Sequence, residues 1–423
     1  MHDLLTKLFP LCRSLTGDGV RETFRIIRER MPLEITEIPS GTECFDWTVP
    51  DEWNIESAWI KDESGRTGVD FADCNLHVLG YSEPVSGTFT LEELKPHLHS
   101  NPNQPDVIPY LTSYYKRRWG FCLSHRQLQS LPDGRYQVEI KSSLKKGSLT
   151  IAEALIPGKT TKEIILTCYT CHPSMANDSL SGVVLNVELF KYLSRRQNNH
   201  FSYRFIFAPE TIGTIAYLAR NKDRVIANTH CVLVLTCVGG PGAFTYKRTK
   251  LNDHPLDKIA ENVLKHSGKE HKILDFFLPG SDERQYSTPG FNIPAASLMK
   301  AAYGFPEYHT SADDLQLVTK ESLEATFALH TQVLEGLEGN LTYQNLKPFC
   351  EPFLSKYGLY ETIGGQKTPG RHLDTTKQIL YILNYSDGTH SLVDIAEKGG
   401  FNLLDLIETA QVLEAKGLLK KII

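Results

Sequence analysis

Residues 164–190, IILTCYTCHPSMANDSLSGVVLNVELF, run from an apolar segment through a polar turn into an apolar helix. In α/β proteins, functional sites form where a strand ends in a turn of this kind. The turn contains His172 and Asp178, whose side chains are both suitable zinc ligands. A turn rich in Ser, Asn and Asp can also serve only to cap the following helix. On these residues alone, metal binding and helix capping stay equally open.

The composition of the chain indicates a soluble protein with more than one domain. Its 423 residues exceed what one core of ordinary size holds, so roughly two or three domains are expected. A hydrophobic content of 41% and a charged content of 22% are typical of globular proteins. The net charge of −5 gives no overall field that would attract nucleic acid or an anionic membrane.

The cysteines and the lack of a targeting segment predict a cytoplasmic protein. Cys168 and Cys171 form a Cys-x-x-Cys pair, but no second pair completes a four-cysteine zinc site, so we interpret the spacing as chance. Free thiols are typical of the reducing cytosol. No apolar run approaches the ~20 residues of a membrane span. The first residues also lack the basic and apolar regions of a signal peptide.

The pattern of residue types changes twice in the first half of the chain. Apolar residues at helical spacing predict a helix over residues 20–31. Short β-like segments then alternate with turn residues, and all four tryptophans fall between Trp47 and Trp119. This stretch, residues 41–146, is predicted to be a small, mostly-β domain with an aromatic core. A surface on which carbohydrate stacks is the alternative interpretation of the aromatic residues.

From residue 147 onward the pattern is that of an α/β domain. Apolar runs such as 164–168, 203–208 and 231–238 are separated by helical segments. Continuous apolar runs between helices are typical of buried, largely parallel strands. We therefore predict a three-layer α/β domain.

The last part of the chain, residues 370–423, is predicted to form a winged-helix-like domain. Helical segments at 376–383, 391–397 and 402–416 precede a strand-like terminus. The helix in the recognition position carries acidic residues such as Asp405 and no arginine. Because phosphate contacts need positive charge, we expect no nucleic-acid binding here. A protein partner or homo-oligomerisation is the predicted role.

Three further polar clusters lie in the α/β segment. Glu210 follows an apolar strand, where it suits a general base; a helix-start glutamate that complements the dipole is the alternative. Residues 280–286, GSDERQY, carry both signs of charge and could equally be a solvated loop. His309 lies within residues 307–314, EYHTSADD, ahead of a predicted helix. This histidine is a candidate ligand only because the other polar clusters occur in the same segment.

Taken in order, these clusters resemble the motifs of the zinc aminopeptidase family, which includes secreted bacterial leucyl aminopeptidases and, more distantly, glutaminyl cyclases. In that family a histidine after a central strand and an aspartate in an Asp-x-x-Ser-Gly turn bind metal; here they correspond to His172 and Asp178. A Glu-Glu-x-Gly motif, which supplies the base and a ligand, is similar to residues 210–213, ETIG. A Tyr-His-Thr-x-x-Asp motif, which supplies the last histidine, is similar to residues 308–313, YHTSAD.

The resemblance implies a layout for the whole chain. Residues 1–40 and 147–345 would form a zinc-exopeptidase-like domain with a mixed, largely parallel sheet. Residues 41–146 would be inserted into this domain, and residues 370–423 would be appended to it. This layout is similar to that of a bacterial group of aminopeptidase-like proteins with an inserted β domain and a C-terminal winged helix.

Two positions depart from the family's pattern. Thr211 replaces the second glutamate, and Thr236 or Cys237 stands where an aspartate is expected. In two-metal members, these positions hold one ligand of each zinc. The ligands that remain are His172, Asp178 and His309. Three protein ligands suit one catalytic zinc with an open fourth position, so we predict one zinc ion per chain. A Cys237 thiolate as a further ligand is the alternative.

The resemblance also implies a reaction. We expect a zinc-dependent hydrolase of peptide or amide bonds, aminopeptidase-like, in which Glu210 is the general base for a metal-activated water. Tyr308 or Arg284 would stabilise the oxyanion. Asp282 or Glu283 would bind the free amino terminus of the substrate.

Two other functions stay open. The first is a mono-zinc acyl-transfer or cyclising enzyme, because glutaminyl cyclases also use one zinc. The second is a zinc-binding interaction protein that has lost catalysis and acts through its terminal helices. Retention of Glu210 favours catalysis, whereas the shortened ligand set favours the loss of catalysis. The expected partners are a peptide or small amide substrate and, at the C-terminal domain, a protein or a second copy of the chain; no membrane and no nucleic acid are expected.

Overall fold

The computed structural model describes residues 1–278, 280–359 and 373–422. Within the predicted winged-helix segment, residues 370–372 and residue 423 therefore lie outside the described residues. In the described part of the chain, no helix combines the length and the apolarity needed to cross a membrane. The chain divides into two compact units, each described here by itself: Met1–Lys250 with Leu274–Phe327, and Leu251–Ile273 with Ala328–Ile423.

Helices and strands alternate along most of the chain. The helices are α1 His2–Leu8, α2 Asp18–Arg28, α3 Leu91–Leu94, α4 His125–Gln129, α5 Gly182–Arg195, α6 Ile212–Asn228, α7 Pro255–His266, α8 Glu283–Tyr286, α9 Lys320–Gly339, α10 Leu373–Tyr385, α11 Leu392–Gly399 and α12 Leu403–Ala415. The strands are β1 Glu34–Pro39, β2 Glu43–Cys44, β3 Trp47–Thr48, β4 Glu52–Asp62, β5 Thr67–Asp70, β6 Val85–Thr90, β7 Leu98–His99, β8 Phe121–Cys122, β9 Arg135–Lys145, β10 Ser148–Ile156, β11 Glu163–Tyr169, β12 Ser202–Ala208, β13 Thr229–Val234, β14 Phe244–Lys247, β15 His271–Leu274, β16 Ala295–Met299, β17 Thr342–Asn345, β18 Asp387–Ser391 and β19 Leu419–Lys421.

A mixed sheet forms the centre of the first unit, with its strands in the order β1-β10-β12-β11-β13-β16-β14. Strand β11 pairs in parallel with both β12 and β13, and β13 pairs in parallel with β16. Strands β1, β10 and β14 are antiparallel to their neighbours. Every residue of β11 and β12 is buried, as in sheets covered by helices on both faces. The prediction of a three-layer α/β domain with a mixed, largely parallel sheet is confirmed.

A second, smaller sheet in the first unit belongs to the aromatic-rich segment, residues 41–146. Its strands run in the order β5-β4-β9-β6. Trp53 and Phe121 of this segment are buried, whereas Trp47 and Tyr115 are 40% and 50% exposed. The aromatic residues of the segment therefore contribute both to a core and to an exposed surface.

Arg21 of α2 and Glu52, the first residue of β4, join the small sheet to the first helical segment. The guanidinium donates from Nη1 to Glu52 Oε1 over 2.9 Å and from Nη2 to Oε2 over 2.5 Å. The Ser148 backbone N–H also donates to Glu52 Oε2, over 3.0 Å. These hydrogen bonds lower the pKa of Glu52 to about 2, and the bond from Arg21 has the largest effect. The ionised carboxylate is therefore the form that stabilises the fold.

Glu52→Gln should lower the free energy of unfolding at about pH 7 by about 2 kcal/mol, because it weakens a partly buried, charge-assisted pair. The stabilisation is present above the unfolded pKa, near the ordinary value of 4.5, and is lost as the pH falls through the folded pKa of about 2. Urea denaturation of both proteins at about pH 7 and about pH 3 measures this difference. Glu22→Gln, at an exposed ion pair with Arg25, is the control and should change little. An undiminished difference at the lower pH would contradict the assignment to ionisation.

The second unit contains α10, α11, α12 and an antiparallel sheet in the order β18-β17-β19. Ser391 caps α11 through a reciprocal pair of bonds with Asp394. Helix α7 packs in the same unit: Asn262 Nδ2 donates to the Phe401 carbonyl, and the Leu403 N–H donates to Asn262 Oδ1, both over 2.9 Å. The helices and the sheet together make a winged helix.

Candidate metal centre

The predicted site forms at the carboxyl ends of the central parallel strands. His172 follows β11, and Glu210 follows β12, the strand paired beside it. Asp178 lies in the turn between β11 and α5, and His309 lies in a loop after β16. Parallel strands direct the loops after their carboxyl ends to one edge of a sheet, so residues far apart in sequence meet there.

His172, Asp178 and His309 come together as a cluster of candidate ligands. One ligand atom from each lies within 4.8 Å of the other two. Asp178 Oδ2 is 2.9 Å from His309 Nε2 and 3.9 Å from His172 Nε2. Asp178 Oδ2 and His309 Nε2 are both buried, and apart from their 2.9 Å contact with each other, neither has a hydrogen-bond partner among the described residues. Buried polar atoms are rarely left unsatisfied, so this cluster fits a bound cation.

The protonation states of the buried ligands also fit a cation. Burial lowers the pKa of His172 to about 4, so its ring is neutral at physiological pH and keeps a free lone pair. Burial by itself would raise the pKa of Asp178, but the adjacent His172 and His309 outweigh it, and the pKa lies below its usual value. Neutral imidazole and ionised carboxylate are the forms that bind zinc.

The other carboxylate oxygen of Asp178 is held by the protein. The Tyr169 hydroxyl donates to Asp178 Oδ1 over 2.7 Å and also bonds the Thr236 hydroxyl. Thr236 Oγ1 itself lies 3.4 Å from the same carboxylate oxygen. Thr236, one of the two residues that could stand at the family's aspartate position, therefore supports a candidate ligand through hydrogen bonds. Such bonds leave Oδ2 directed towards the other two ligands.

Asp313 orients the turn that carries Asp178. Its carboxylate accepts the backbone N–H groups of Asn177 and Asp178, and its carbonyl accepts that of Ala176. Asp313 is fully buried, and burial raises its pKa to about 7 against the opposing effect of these bonds. Its signal in the sequence is the last position of the Tyr-His-Thr-x-x-Asp motif, although sequence reasoning gave it no role.

Residues of the aromatic-rich segment form a wall of the site. The Tyr110 N–H donates to the His309 carbonyl over 2.8 Å, and the Ser311 N–H donates to the Ile108 carbonyl over 2.8 Å. The Tyr110 ring centroid lies 5.4 Å from that of His172 and 5.3 Å from that of His309. The sequence does not single out Tyr110 for this role, because nothing local to Tyr110 distinguishes it from the other aromatic residues of the segment.

Glu210 lies beside the ligand cluster. Its Oε2 is 3.9 Å from His172 Nε2, and its side chain is about a quarter exposed. Burial raises the pKa of Glu210 well above its usual value, and the charges of Asp282 and Asp178 add to this effect. Its backbone N–H donates to Cys171 Sγ over 3.2 Å. A carboxyl group with a raised pKa next to a candidate metal site is suited to exchange protons with substrate.

Cys237, the alternative residue at the family's aspartate position, and Thr211, the other departure from the pattern, have different surroundings. Cys237 is not in the ligand cluster found among the described residues. Burial raises the pKa of its thiol well above the usual value, which disfavours a thiolate. Thr211 follows Glu210 with a positive φ of 63° and donates its N–H to Asp282.

Asp282 and Glu283, the predicted amine-binding residues, are both buried. The Asp282 carboxylate accepts bonds from Thr211 and Thr214, over 2.9 and 2.7 Å. Glu283 Oε2 lies 3.7 Å from Lys247 Nζ. The structure therefore places both carboxylates in contact with protein groups, and their binding of a substrate amine stays a prediction.

Of the predicted oxyanion donors, Arg284 lies on α8 and Tyr308 lies in the loop that carries His309. Arg284 Nη2 donates to Thr211 Oγ1 over 2.8 Å. The Tyr308 ring stacks on the ring of His309, with centroids 4.0 Å apart. Both side chains therefore touch residues adjacent to the ligand cluster or within it. Their role in binding substrate stays a prediction.

The fold is that of a zinc aminopeptidase. The structure of BSAP, a zinc aminopeptidase from Bacillus subtilis, superimposes with a TM-score of 0.58 at 13% identity, covering 79% of this chain and 94% of that one. The sequence-based resemblance to this class is confirmed at the level of the fold.

The chain belongs to the DUF4910 family, whose model is described as a domain of unknown function and matches residues 2–340. A winged helix-turn-helix model matches residues 341–421, which confirms the predicted winged helix. A Clostridium acetobutylicum protein, described as a candidate polysaccharide biosynthesis protein with an aminopeptidase-like domain, is 50% identical over 420 residues, 99% of this chain and 96% of its own. The crystal structure of a candidate peptidase from Clostridium acetobutylicum has a TM-score of 0.94 at 48% identity and covers 100% of this chain and 96% of that one.

Proposed function

We propose that this protein is a zinc-dependent hydrolase of peptide or amide bonds, of the aminopeptidase-like kind. The observation that carries the proposal is the cluster of His172, Asp178 and His309, with Glu210 3.9 Å from the nearest ligand nitrogen. The relative described as having an aminopeptidase-like domain and the shared fold of BSAP support a peptidase-like activity.

The donor set supports a single zinc ion. Two neutral imidazoles and one carboxylate are a common ligand set of catalytic zinc, and they leave one position for water or substrate. Bound there, zinc would supply Lewis acidity, which lowers the pKa of a coordinated water to about 7 and polarises the scissile carbonyl. Thr211 and Thr236 would donate no carboxylate to a second ion, which is why we propose one zinc per chain.

The roles of the remaining residues follow from their positions. Glu210 takes the proton of the attacking water and returns it to the leaving amine nitrogen. Tyr308, stacked on His309, and Arg284, bonded to Thr211, are the proposed donors to the oxyanion. Asp282 or Glu283 remains the proposed recognition element for a free amino terminus, and of the two, Asp282 already has both carboxylate oxygens bonded, to Thr211 and Thr214.

The domain boundaries and the location of the protein are proposals of the same kind. Residues 41–146 are proposed to be an insertion between residues 1–40 and 147–345, and the bonds of Tyr110 to the His309 loop support a role in shaping the site and limiting substrate size. The domain over residues 370–423 is proposed to bind a protein partner or a second copy. No disulfide joins any of the cysteines that the structure describes, which supports a cytoplasmic location.

Zinc-loaded protein should contain about one zinc per chain and hydrolyse aminoacyl amides that have a free amino terminus. Metal analysis and a panel of aminoacyl amides with their N-acetylated counterparts measure this. Equal hydrolysis of the N-acetylated members would contradict recognition of a free amine. Cyclisation of N-terminal glutamine without hydrolysis would favour the acyl-transfer alternative. If the protein binds zinc but hydrolyses no member of the panel, the alternative of a zinc-binding protein that has lost catalysis is favoured. Two tightly bound zinc ions per chain would contradict the single-zinc proposal.

A further inference from the structure

Thr211 lies at the centre of a strained turn between Glu210 and α6. Its φ is 63° and its ψ is −80°, and the Ile212 N–H donates to the Glu210 carbonyl over 2.8 Å. This is the rare form of γ-turn, in which the central residue has a positive φ. A β-branched residue seldom adopts such a conformation, since its side chain crowds the backbone. The conformation persists only where surrounding contacts enforce it.

Asp282 and Arg284 supply those contacts. Asp282 Oδ1 accepts the Thr211 N–H over 2.9 Å, and its Oδ2 accepts the Thr214 hydroxyl over 2.7 Å. Arg284 Nη2 donates to Thr211 Oγ1 over 2.8 Å. Asp282 is only 2% exposed, so its bonds compete little with water. Backbone and side chain of Thr211 are therefore both held from the loop that carries Asp282.

The chain around the turn is closely packed. The Gly213 N–H donates to the Pro209 carbonyl over 3.0 Å. A Cβ at Gly213 would lie 2.6 Å from Pro209 Cδ, closer than side-chain atoms approach. The turn thus has little room to relax into a different conformation while α6 stays in place.

Glu210 is fixed from both sides by these contacts. Its N–H is bonded to Cys171 Sγ, and its carbonyl accepts the γ-turn bond ahead of α6. We propose that Asp282 is a positioning residue: by holding Thr211 in the γ-turn, it directs the Glu210 carboxylate towards the metal-binding side chains. The expected effect on catalysis rests on the proposed function, whereas the hold of Asp282 on the γ-turn does not.

Asp282→Ala in the full-length, zinc-loaded protein should lower kcat on an aminoacyl amide by about 100-fold, because a misplaced catalytic group costs about that much. The KM and the zinc content should stay at the wild-type values. Asp282→Asn keeps an oxygen that accepts the Thr211 N–H, so it should retain most of kcat. If the charge of Asp282 bound the substrate amine instead, Asp282→Asn would fail as badly as Asp282→Ala and would raise KM, which would overturn the proposal.

A second measurement is independent of activity. Hydrogen exchange of the Thr211 amide, followed by mass spectrometry of the peptide that contains it, should accelerate in Asp282→Ala and stay slow in Asp282→Asn. Thr214→Val removes the other bond to Asp282 and should leave both exchange and kcat near wild type. Unchanged exchange in Asp282→Ala, or a kcat within about threefold of wild type, would overturn the proposal.

These outcomes separate the two proposals. A wild-type protein that hydrolyses no amide would refute the proposed function, while the exchange data would still decide whether Asp282 holds the turn. If Asp282→Ala does not fold, Asp282→Ser takes its place, because a serine side chain is too short to reach the Thr211 N–H. The same acceleration of exchange and the same loss of kcat are expected of it, and their absence would overturn the proposal in the same way.

Discussion

His309→Ala should weaken zinc binding by more than about 100-fold, because it removes one of three protein ligands and even the loss of an outer hydrogen bond costs 10- to 100-fold. Amide hydrolysis should fall with the zinc content. The side chain of His309 is 37% exposed, so the truncation leaves no large cavity and the fold should survive. Competition with a zinc chelator, followed by a fluorescent zinc indicator, measures the change in affinity.

Two further variants make this test specific. Asp178→Asn keeps the shape of the buried side chain and its contact with Tyr169 but removes the charge, so it should also lose zinc. His125→Ala, at a histidine that bonds Ser100 outside the ligand cluster, is the matched control and should bind zinc as the wild type does. Full zinc affinity in His309→Ala would show that His309 is not a ligand.

Glu210→Gln should keep its zinc and lose about 10²- to 10⁴-fold in kcat, the usual contribution of a general base. The amide of glutamine has nearly the size of the carboxyl group, so the contacts around it are preserved. It cannot accept the proton of water or return it to the leaving amine. Steady-state kinetics together with metal analysis of the same sample separate the loss of the base from the loss of the ion.

The control for this variant is Glu188→Gln, on α5, where the carboxylate pairs with Lys191 at the surface of the helix. Its kinetics should match those of the wild type. An active Glu210→Gln would mean that another group takes the proton. A variant that loses zinc together with activity would instead assign Glu210 to the ligands, and the proposed reaction would need a different base.

The sequence predicts the central strands well. The apolar runs preceding His172 and Glu210 become β11 and β12. The prediction of a strand over residues 231–238 is wrong at its end, since β13 stops at Val234. The chain beyond it stays buried as a loop, with Cys237 at a positive φ of 52°. A run of apolar residues indicates that the segment is buried, but it does not distinguish a strand from a buried loop.

The site is less accessible to sequence reasoning, because several of its contacts join distant parts of the chain. The cluster of three candidate ligands follows from motifs that can be recognised locally. The wall formed by Tyr110 comes from a different sheet, and the strain at Thr211 depends on a loop about seventy positions later, at Asp282. Strand β17, Thr342–Asn345, was not predicted either, because Tyr343 is its only aromatic or aliphatic side chain and its partners β18 and β19 lie far along the chain.

The backbone bonds between residues 108–110 and the His309 loop bear on how this protein could be reduced in size or recombined. Excising the small β domain to obtain a minimal catalytic fragment would remove the segment against which His309 is seated. For the same reason, a chimaera that takes the central sheet from one homologue and the insertion from another joins halves of one metal site. In protein engineering on this scaffold, residues 108–110 and the His309 loop should therefore be taken from the same parent protein.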